Sequence, residues 1–217
     1  MIPTLDAADE LPATLGTLAA SALIGEIVVV DGGSRDDSAL LARQAGARVI
    51  KAPRGRGTQL AVGAKAASGD WLLFLHADCR PRPGWDDAVR AFIAASPDKA
   101  GYFDLVLDDP ATAARRLERL VAWRCRVLAL PYGDQGLLIR RSLYAAVGGY
   151  AALPLMEDVD LVRRLGRARL ARIGATMLAS PRRYRSGGYV RRPLRNLACL
   201  SLYFAGVKPQ RIARLYG

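Results

Sequence analysis

The stretch Glu26-Ile27-Val28-Val29-Val30-Asp31-Gly32-Gly33-Ser34 sets the fold class. Its unbroken β-branched run has no polar face, so it predicts a strand covered on both sides, as in a parallel sheet flanked by helices. The run ends in a carboxylate followed by a glycine turn. In open α/β sheets ligands bind outside the carboxyl ends of the strands. Asp31 is placed there to accept from a base imide or from ribose hydroxyls, while the glycines let the backbone approach. Helix capping by Asp31 is the plainer alternative, and Ser34 and Asp36 are available for that task as well.

Outward from this run, residues 48–51 and 71–75 read as further strands, with helices at 9–20, 36–45, 58–67 and 84–96. The order is βαβα, which is the pattern of an α/β domain. Beyond it, 102–107 predicts a strand and 111–130 a helix, whose apolar stripe is interrupted by Arg124 and so faces a polar cleft there. A short strand at 135–140, a helix at 156–165 and a strand at 170–178 follow. The tail over 191–216 reads as helical, broken before Pro209. Only Met1-Ile2 precedes Pro3, so the opening strand is either very short or clipped by a misplaced start codon.

With 217 residues and 51% hydrophobic composition the chain suffices for one substantial core, and a single domain is expected. A formal net charge of +12 suits nucleic acid, an anionic membrane surface or a phosphorylated substrate. Only four of the 32 basic residues are lysine, an arginine bias that a GC-rich genome produces by itself. Cys79, Cys125 and Cys199 are scattered rather than paired, which fits a reducing cytoplasm. No basic segment precedes an apolar run at the start, so no secretory signal is expected. Residues 194–207 form the most apolar late stretch, but they contain Arg195 and Asn196 and fall short of the roughly 20 residues that a bilayer requires.

Three further segments carry chemistry. Leu75-His76-Ala77-Asp78-Cys79 ends a buried strand, and a carboxylate emerging there suits Mg²⁺ or Mn²⁺ bridging two phosphates. Zinc on His76 and Cys79 lacks the second pair of ligands a structural site needs. Leu155-Met156-Glu157-Asp158-Val159-Asp160 opens a helix, where acids are favoured by the helix dipole alone. It also follows a glycine- and proline-containing loop, 148–154, of the kind that delivers a base into a cleft. Pro53-Arg54-Gly55-Arg56-Gly57 and Pro181-Arg182-Arg183-Tyr184-Arg185 offer guanidinium groups suited to an anionic ligand. The polar turn Pro131-Tyr132-Gly133-Asp134-Gln135-Gly136 either lines an acceptor site or is an ordinary loop.

In this order, Val30-Asp31-Gly32-Gly33-Ser34-Arg35-Asp36, Phe74-Leu75-His76-Ala77-Asp78 and Glu157-Asp158 resemble the nucleotide-binding turn, the DxD strand and the ED base motif of family 2 glycosyltransferases. The segments His76-Ala77-Asp78, Gly133-Asp134-Gln135-Gly136, Pro154-Leu155-Met156-Glu157-Asp158 and Ser180-Pro181-Arg182-Arg183 are similar to a bacterial subfamily labelled radical-SAM/selenodomain-associated glycosyltransferases. The resemblance implies a GT-A (Rossmann-like) nucleotide-diphospho-sugar transferase fold, with a mixed, mainly parallel central sheet flanked by helices and C-terminal helices. It implies a nucleotide-binding half over 1–100, an acceptor and catalytic half over 101–185, and closing helices over 186–217. It further implies metal-assisted, inverting transfer of a sugar from a nucleotide-sugar donor, UDP-linked, to the hydroxyl of a small-molecule, glycan or lipid-linked acceptor. Pro3, Asp31, Arg56, Gln59, His76 and Asp78 would then lie at the nucleotide and Asp78 would ligate Mg²⁺ or Mn²⁺. Asp158 would be the base with Glu157 assisting, and Asp134, Gln135, Arg182 and Arg183 would face the acceptor. Three positions differ from the family pattern: Asp6-Ala7 replaces Asn-Glu, His76 replaces the first Asp of DxD, and Gly32 replaces the second Asp of the nucleotide turn.

Two other classes compete. In a dinucleotide-dependent oxidoreductase the glycine fingerprint precedes the ribose-binding acid, whereas here Gly55-Arg56-Gly57 follows Asp31 and Leu60 stands where a third glycine belongs. A nucleic-acid binder is disfavoured by 7% aromatic content and no recognisable binding module. A peripheral membrane protein, at the inner face of the membrane, would use 194–207 as its interfacial helix; the stretch reads rather as a core helix, because its apolar residues cover too much of the circumference.

Overall fold

The computed structural model describes residues 1–216. Its first half alternates as expected: β1 (Ile2–Thr4), α1 (Leu11–Ala19), β2 (Val28–Asp31), α2 (Ser38–Gln44), β3 (Arg48–Lys51), α3 (Arg56–Ala66) and β4 (Trp71–Phe74). β1, β2 and β3 pair in parallel. Every residue of β2 is buried, and the reason is visible in the packing. Val29 belongs to a core with Leu11 and Leu15 of α1, whereas Val28 and Val30 face the opposite core with Leu60 of α3 and Phe74. A strand with helices on both faces has no side to spare for polar residues.

The second half is built differently. It continues through β5 (Cys79–Pro81), α4 (Trp85–Ala95), β6 (Ala100–Leu107), α5 (Thr112–Leu128), β7 (Leu137–Arg140), α6 (Arg141–Ala146), α7 (Glu157–Leu165), β8 (Leu170–Ala179), α8 (Arg182–Gly187), α9 (Arg191–Phe204) and α10 (Pro209–Tyr216). These strands run in the order β4-β7-β6-β8-β5, with β7 antiparallel to both β4 and β6 and β8 parallel to β6. The Met1 nitrogen donates to the Leu73 carbonyl at 2.6 Å and the Met1 carbonyl accepts from Leu75 at 3.0 Å, which joins β1 to β4. The strands thus form one mixed central sheet, β3-β2-β1-β4-β7-β6-β8-β5. Parallel pairing dominates at the β1–β3 side and antiparallel pairing on either side of β7.

β5 and the short helices α6 and α8 were not predicted. Each has six residues or fewer, and β5 contains Pro81 and pairs only with β8, as suits an edge strand. The last helices divide the expectation for 194–207. Cys199 and Leu200 are buried with Val159 and Val162 of α7 and Ile212 of α10, while Leu194 and Leu197 stay exposed. Among the described residues no helix is long and apolar enough to cross a membrane.

Candidate active site

The carboxyl ends of β1 and β4 open into one cleft, and the loop after β4 supplies its centre. Thr14 of α1 donates to the carbonyls of Ala77 (2.8 Å) and Cys79 (3.2 Å) and so fixes that loop from behind. His76, Asp78 and Cys79 bring one ligand atom each to within 4.8 Å of one another. Burial pushes the Cys79 thiol well above its ordinary value, with Asp78 and Asp134 adding to the rise. Burial, aided by Arg56 and Arg183 against the pull of Asp78 and Asp158, pushes His76 down to about 4. At neutral pH its imidazole is therefore uncharged, the form that ligates metals. Asp78 and His76 fit a hard divalent cation that takes further oxygens from phosphate and water.

Two cavities meet at this loop, and His76, Asp78, Arg56 and Arg183 line both. The larger, about 540 Å³, lies over β1 and the start of α3, with Pro3, Asp6, Arg54 and Gln59 on its walls. The smaller, about 110 Å³, is enclosed by Tyr132, Gly133, Asp134, Asp158 and Asn196 among others. Gly133 is packed on His76 so closely that a Cβ there would stand 2.5 Å from Nε2.

Asp158 reaches the smaller chamber from the start of α7. Met156, immediately before that helix, holds a left-handed backbone (φ 66°), an uncommon state for a non-glycine residue that fixes the angle at which α7 begins. The Asp158 carboxylate accepts from Gly133 N–H and Val159 N–H, each at 2.8 Å, which aims it beside the His76 wall. Glu157, called with it as catalytic, lines neither cavity. Its side chain is 1% exposed and ion-paired to Arg56 at the start of α3. Burial raises the Glu157 carboxyl above its ordinary value, and Arg56 offsets only part of that rise. Gly57 completes that joint: a Cβ there would collide with the Ala151 carbonyl, so only glycine lets the loop before α7 lie on α3.

Other expected site residues divide. Asp31 is 3% exposed, accepts from Ser34 N–H at 3.0 Å and does not line the larger cavity. It organises the glycine turn, which is nearer the plainer reading of a carboxylate at that position. Gln59 does line the cavity, but its amide nitrogen is committed to the carbonyls of Thr4 (2.9 Å) and Val30 (2.7 Å) and ties β1 to β2. Gln135 is 1% exposed and faces inward. It donates to the Phe103 carbonyl (3.0 Å) and accepts from Arg124 (3.1 Å), so it is a structural hub rather than an acceptor contact. Arg182 rims the larger cavity, not the smaller, and pairs with Asp9 and Glu10. Asp134 does line the smaller chamber, and burial raises its carboxyl.

Arg54 and Tyr132 are wall residues from segments that the sequence reading singled out, whereas Asp6 and Asn196 are wall residues that it did not select. Asp6 was recoverable by the rule applied to Asp31, since it follows the end of β1. Its carboxylate accepts from Arg35 N–H at 2.7 Å across the mouth of the cleft. Nothing in the sequence marks Asn196, which sits in the apolar stretch of α9.

A sequence profile described as "Glycosyl transferase family 2" matches residues 1–151. The chain belongs to that family. It is a glycosyltransferase of GT-A fold, and the match ends before Glu157 and Asp158. Among solved structures, TarS 1–349 from S. aureus aligns with a TM-score of 0.68 at 17% identity, over 85% of this chain and 61% of that one. Glucosyl-3-phosphoglycerate synthase from Mycobacterium tuberculosis, in complex with Mn²⁺, UDP-glucose and phosphoglyceric acid, aligns with a TM-score of 0.57 at 22% identity, over 82% and 69%. This family 2 chain thus spans about three fifths to two thirds of those proteins' lengths. No curated protein matches it.

Proposed function

We propose that this family 2 glycosyltransferase moves a sugar from a nucleoside diphosphate donor, UDP-linked, to an acceptor hydroxyl with inversion at the anomeric carbon. The observation that carries the reading is the shared wall: Asp78 and His76 face the larger cavity on one side and the chamber of Asp158 on the other. The larger cavity suits the nucleotide, because Arg54, Arg56 and Arg183 supply guanidinium donors for a diphosphate. The smaller suits the acceptor. Asp158 keeps lone pairs beyond those used by two backbone N–H groups, and one of them takes the proton of an attacking hydroxyl. Attack from the face opposite the diphosphate inverts the anomeric centre. Glu157 is a positioning residue that holds Arg56 at the junction.

Mg²⁺ or Mn²⁺ held by Asp78 and His76 would offset the charge that builds on the departing diphosphate. The donor assignment draws support from relatives of the same fold solved with Mn²⁺ and UDP-glucose, or with UDP-GlcNAc. Residues 1–100 supply most of the larger cavity and 101–185 much of the smaller, in keeping with a donor half and an acceptor half closed by helices at 186–217. We also assign the chain to the radical-SAM/selenodomain-associated subfamily, on the four segments that resemble it.

Calorimetric titration of UDP with and without Mn²⁺ tests the donor site: Mn²⁺-enhanced binding is expected, and absence of metal-enhanced binding for every nucleoside diphosphate overturns the reading. For the base, Asp158→Asn is expected to lower UDP release from UDP-glucose in an acceptor-containing bacterial extract by about 10²–10⁴-fold. UDP affinity should stay within about twofold; equal loss of both assigns Asp158 to donor binding.

A further inference from the structure

An apolar groove of about 220 Å³ runs between α5 and α9, walled by Leu120, Trp123 and Leu128 on one side and Pro193, Leu194 and Leu197 on the other. These side chains are largely open to solvent: Leu120 is 54% exposed, Trp123 49%, Leu194 60% and Leu197 57%. Contiguous apolar surface of this kind marks a binding site more often than a solvated face. The groove does not end blindly. Tyr132, Asp134, Tyr184 and Asn196 line both it and the smaller chamber, so the groove adjoins the chamber through a shared wall.

At that junction two polar atoms are unsatisfied. Asp134 Oδ1 and Asn196 Oδ1 are buried without a hydrogen-bond partner. A buried acceptor with no donor is costly, and a hydroxyl entering the chamber would satisfy it. The site thus offers hydrogen-bond acceptors beside Asp158 and, adjoining them, a groove whose outer walls are mainly apolar.

We propose that the acceptor is an amphipathic alcohol, with its hydroxylated head in the chamber beside Asp158, Asp134 and Asn196 and its alkyl or polyprenyl tail in the α5–α9 groove. The assignment rests on the glycosyltransferase reading of the chamber and names the acceptor class for it. Continuity with the chamber favours this occupant over a membrane surface or a second copy of the chain, neither of which would need the unsatisfied acceptors at the inner end.

Octyl, decyl and dodecyl β-glucoside, each below its micellar concentration and in the presence of UDP, serve as probes in calorimetry. Affinity is expected to rise by about threefold per methylene, below the roughly fourfold of full burial because the groove is open on one side. The double variant Leu194→Ser/Leu197→Ser is expected to lose this chain-length dependence while UDP affinity is unchanged. Asn196→Asp, which keeps the side-chain volume at the groove, is expected to shift all three probes by the same factor, because Asn196 Oδ1 serves the head group that the three have in common. Probe affinity independent of chain length overturns the proposal. So does binding to phosphatidylglycerol vesicles, or self-association, that the double variant abolishes when the monomeric probes do not bind. If wild-type protein fails to bind UDP at all, the transferase reading itself has failed, a result distinct from normal UDP binding with no tail dependence.

Discussion

The Arg56–Glu157 pair lets the joint between the nucleotide half and the base-bearing helix be tested as physics rather than as sequence. The two partners are unequal: the Glu157 side chain is 1% exposed and the Arg56 side chain 32%. In Arg56→Met the carboxylate is left buried without its cation, whereas in Glu157→Gln the guanidinium turns toward water. Removing one partner of a buried pair costs about 3–5 kcal/mol. Protonation caps that cost for Glu157. With an unfolded value near 4.3, neutralising it costs about 4 kcal/mol at pH 7 and about 1 kcal/mol at pH 5. Without Arg56, the native state keeps a proton that the unfolded chain has lost, so stability falls as pH rises above about 4.3. Urea unfolding should therefore show Arg56→Met destabilised by up to about 4 kcal/mol at pH 7 and by about 1 kcal/mol at pH 5. Glu157→Gln should lose about 1–2 kcal/mol at both. Equal losses for the two variants at pH 7, or a loss in Arg56→Met that does not change with pH, would refute the reasoning.

Gly133→Ala places a methyl group 2.5 Å from His76 Nε2. Displacement of the ring should cost about 1–3 kcal/mol in thermal unfolding and remove the Mn²⁺ enhancement of UDP binding. Asp109 is held down to about 2 by hydrogen bonds from Arg185, Ala111 N–H and Tyr189, so the stability it adds is present above the ordinary Asp value near 3.9 and is lost as pH falls toward 2. Hydrogen exchange at α8 should accelerate across that window in the wild type and show no such step in Asp109→Asn. Arg141 donates to the carbonyls of Ala64 (3.2 Å), Ala67 (2.6 Å) and Gly69 (3.0 and 2.8 Å). Lysine cannot reproduce that fork, and Arg141→Lys should lose about 1–3 kcal/mol in urea unfolding, unchanged stability being the contrary result.

Local pattern carried the fold as far as local pattern extends. The run at Val28–Val30 requires cover on both faces, and the two cores on either side of β2 supply it. The direction of β7 was not legible, because Leu137–Arg140 are specified by β4 and β6, partners remote in sequence. The same limit divides the site residues. Asp78 and Asp158 lie where a strand end and a helix start put them, and each faces a cavity. Glu157 and Gln135, one position from Asp158 and Asp134, are buried instead, one by Arg56 and the other by Phe103 and Arg124. Adjacent carboxylates or amides in a motif are interchangeable on paper. Side-chain direction separates them, and direction is set by partners about a hundred residues away for Glu157 and about thirty for Gln135.

The arginine excess belongs in the same argument. Arg124 donates to the Leu130 carbonyl (2.8 Å) just past the end of α5, and Arg167 donates to the carbonyls of Arg126 and Val127 in its last turn. Arg164 holds Val147 and Gly149, and Arg141 holds the end of α3. Helix C-termini and loop turns expose carbonyls that no backbone donor reaches, and a guanidinium serves two or three of them at once. Part of the arginine excess therefore serves the fold. The arginines that line the larger cavity are a small subset, Arg54, Arg56, Arg182 and Arg183. Net charge alone left nucleic acid, an anionic membrane surface and a phosphorylated substrate open; the gathering of these arginines around one cavity suits an anion the size of a diphosphate.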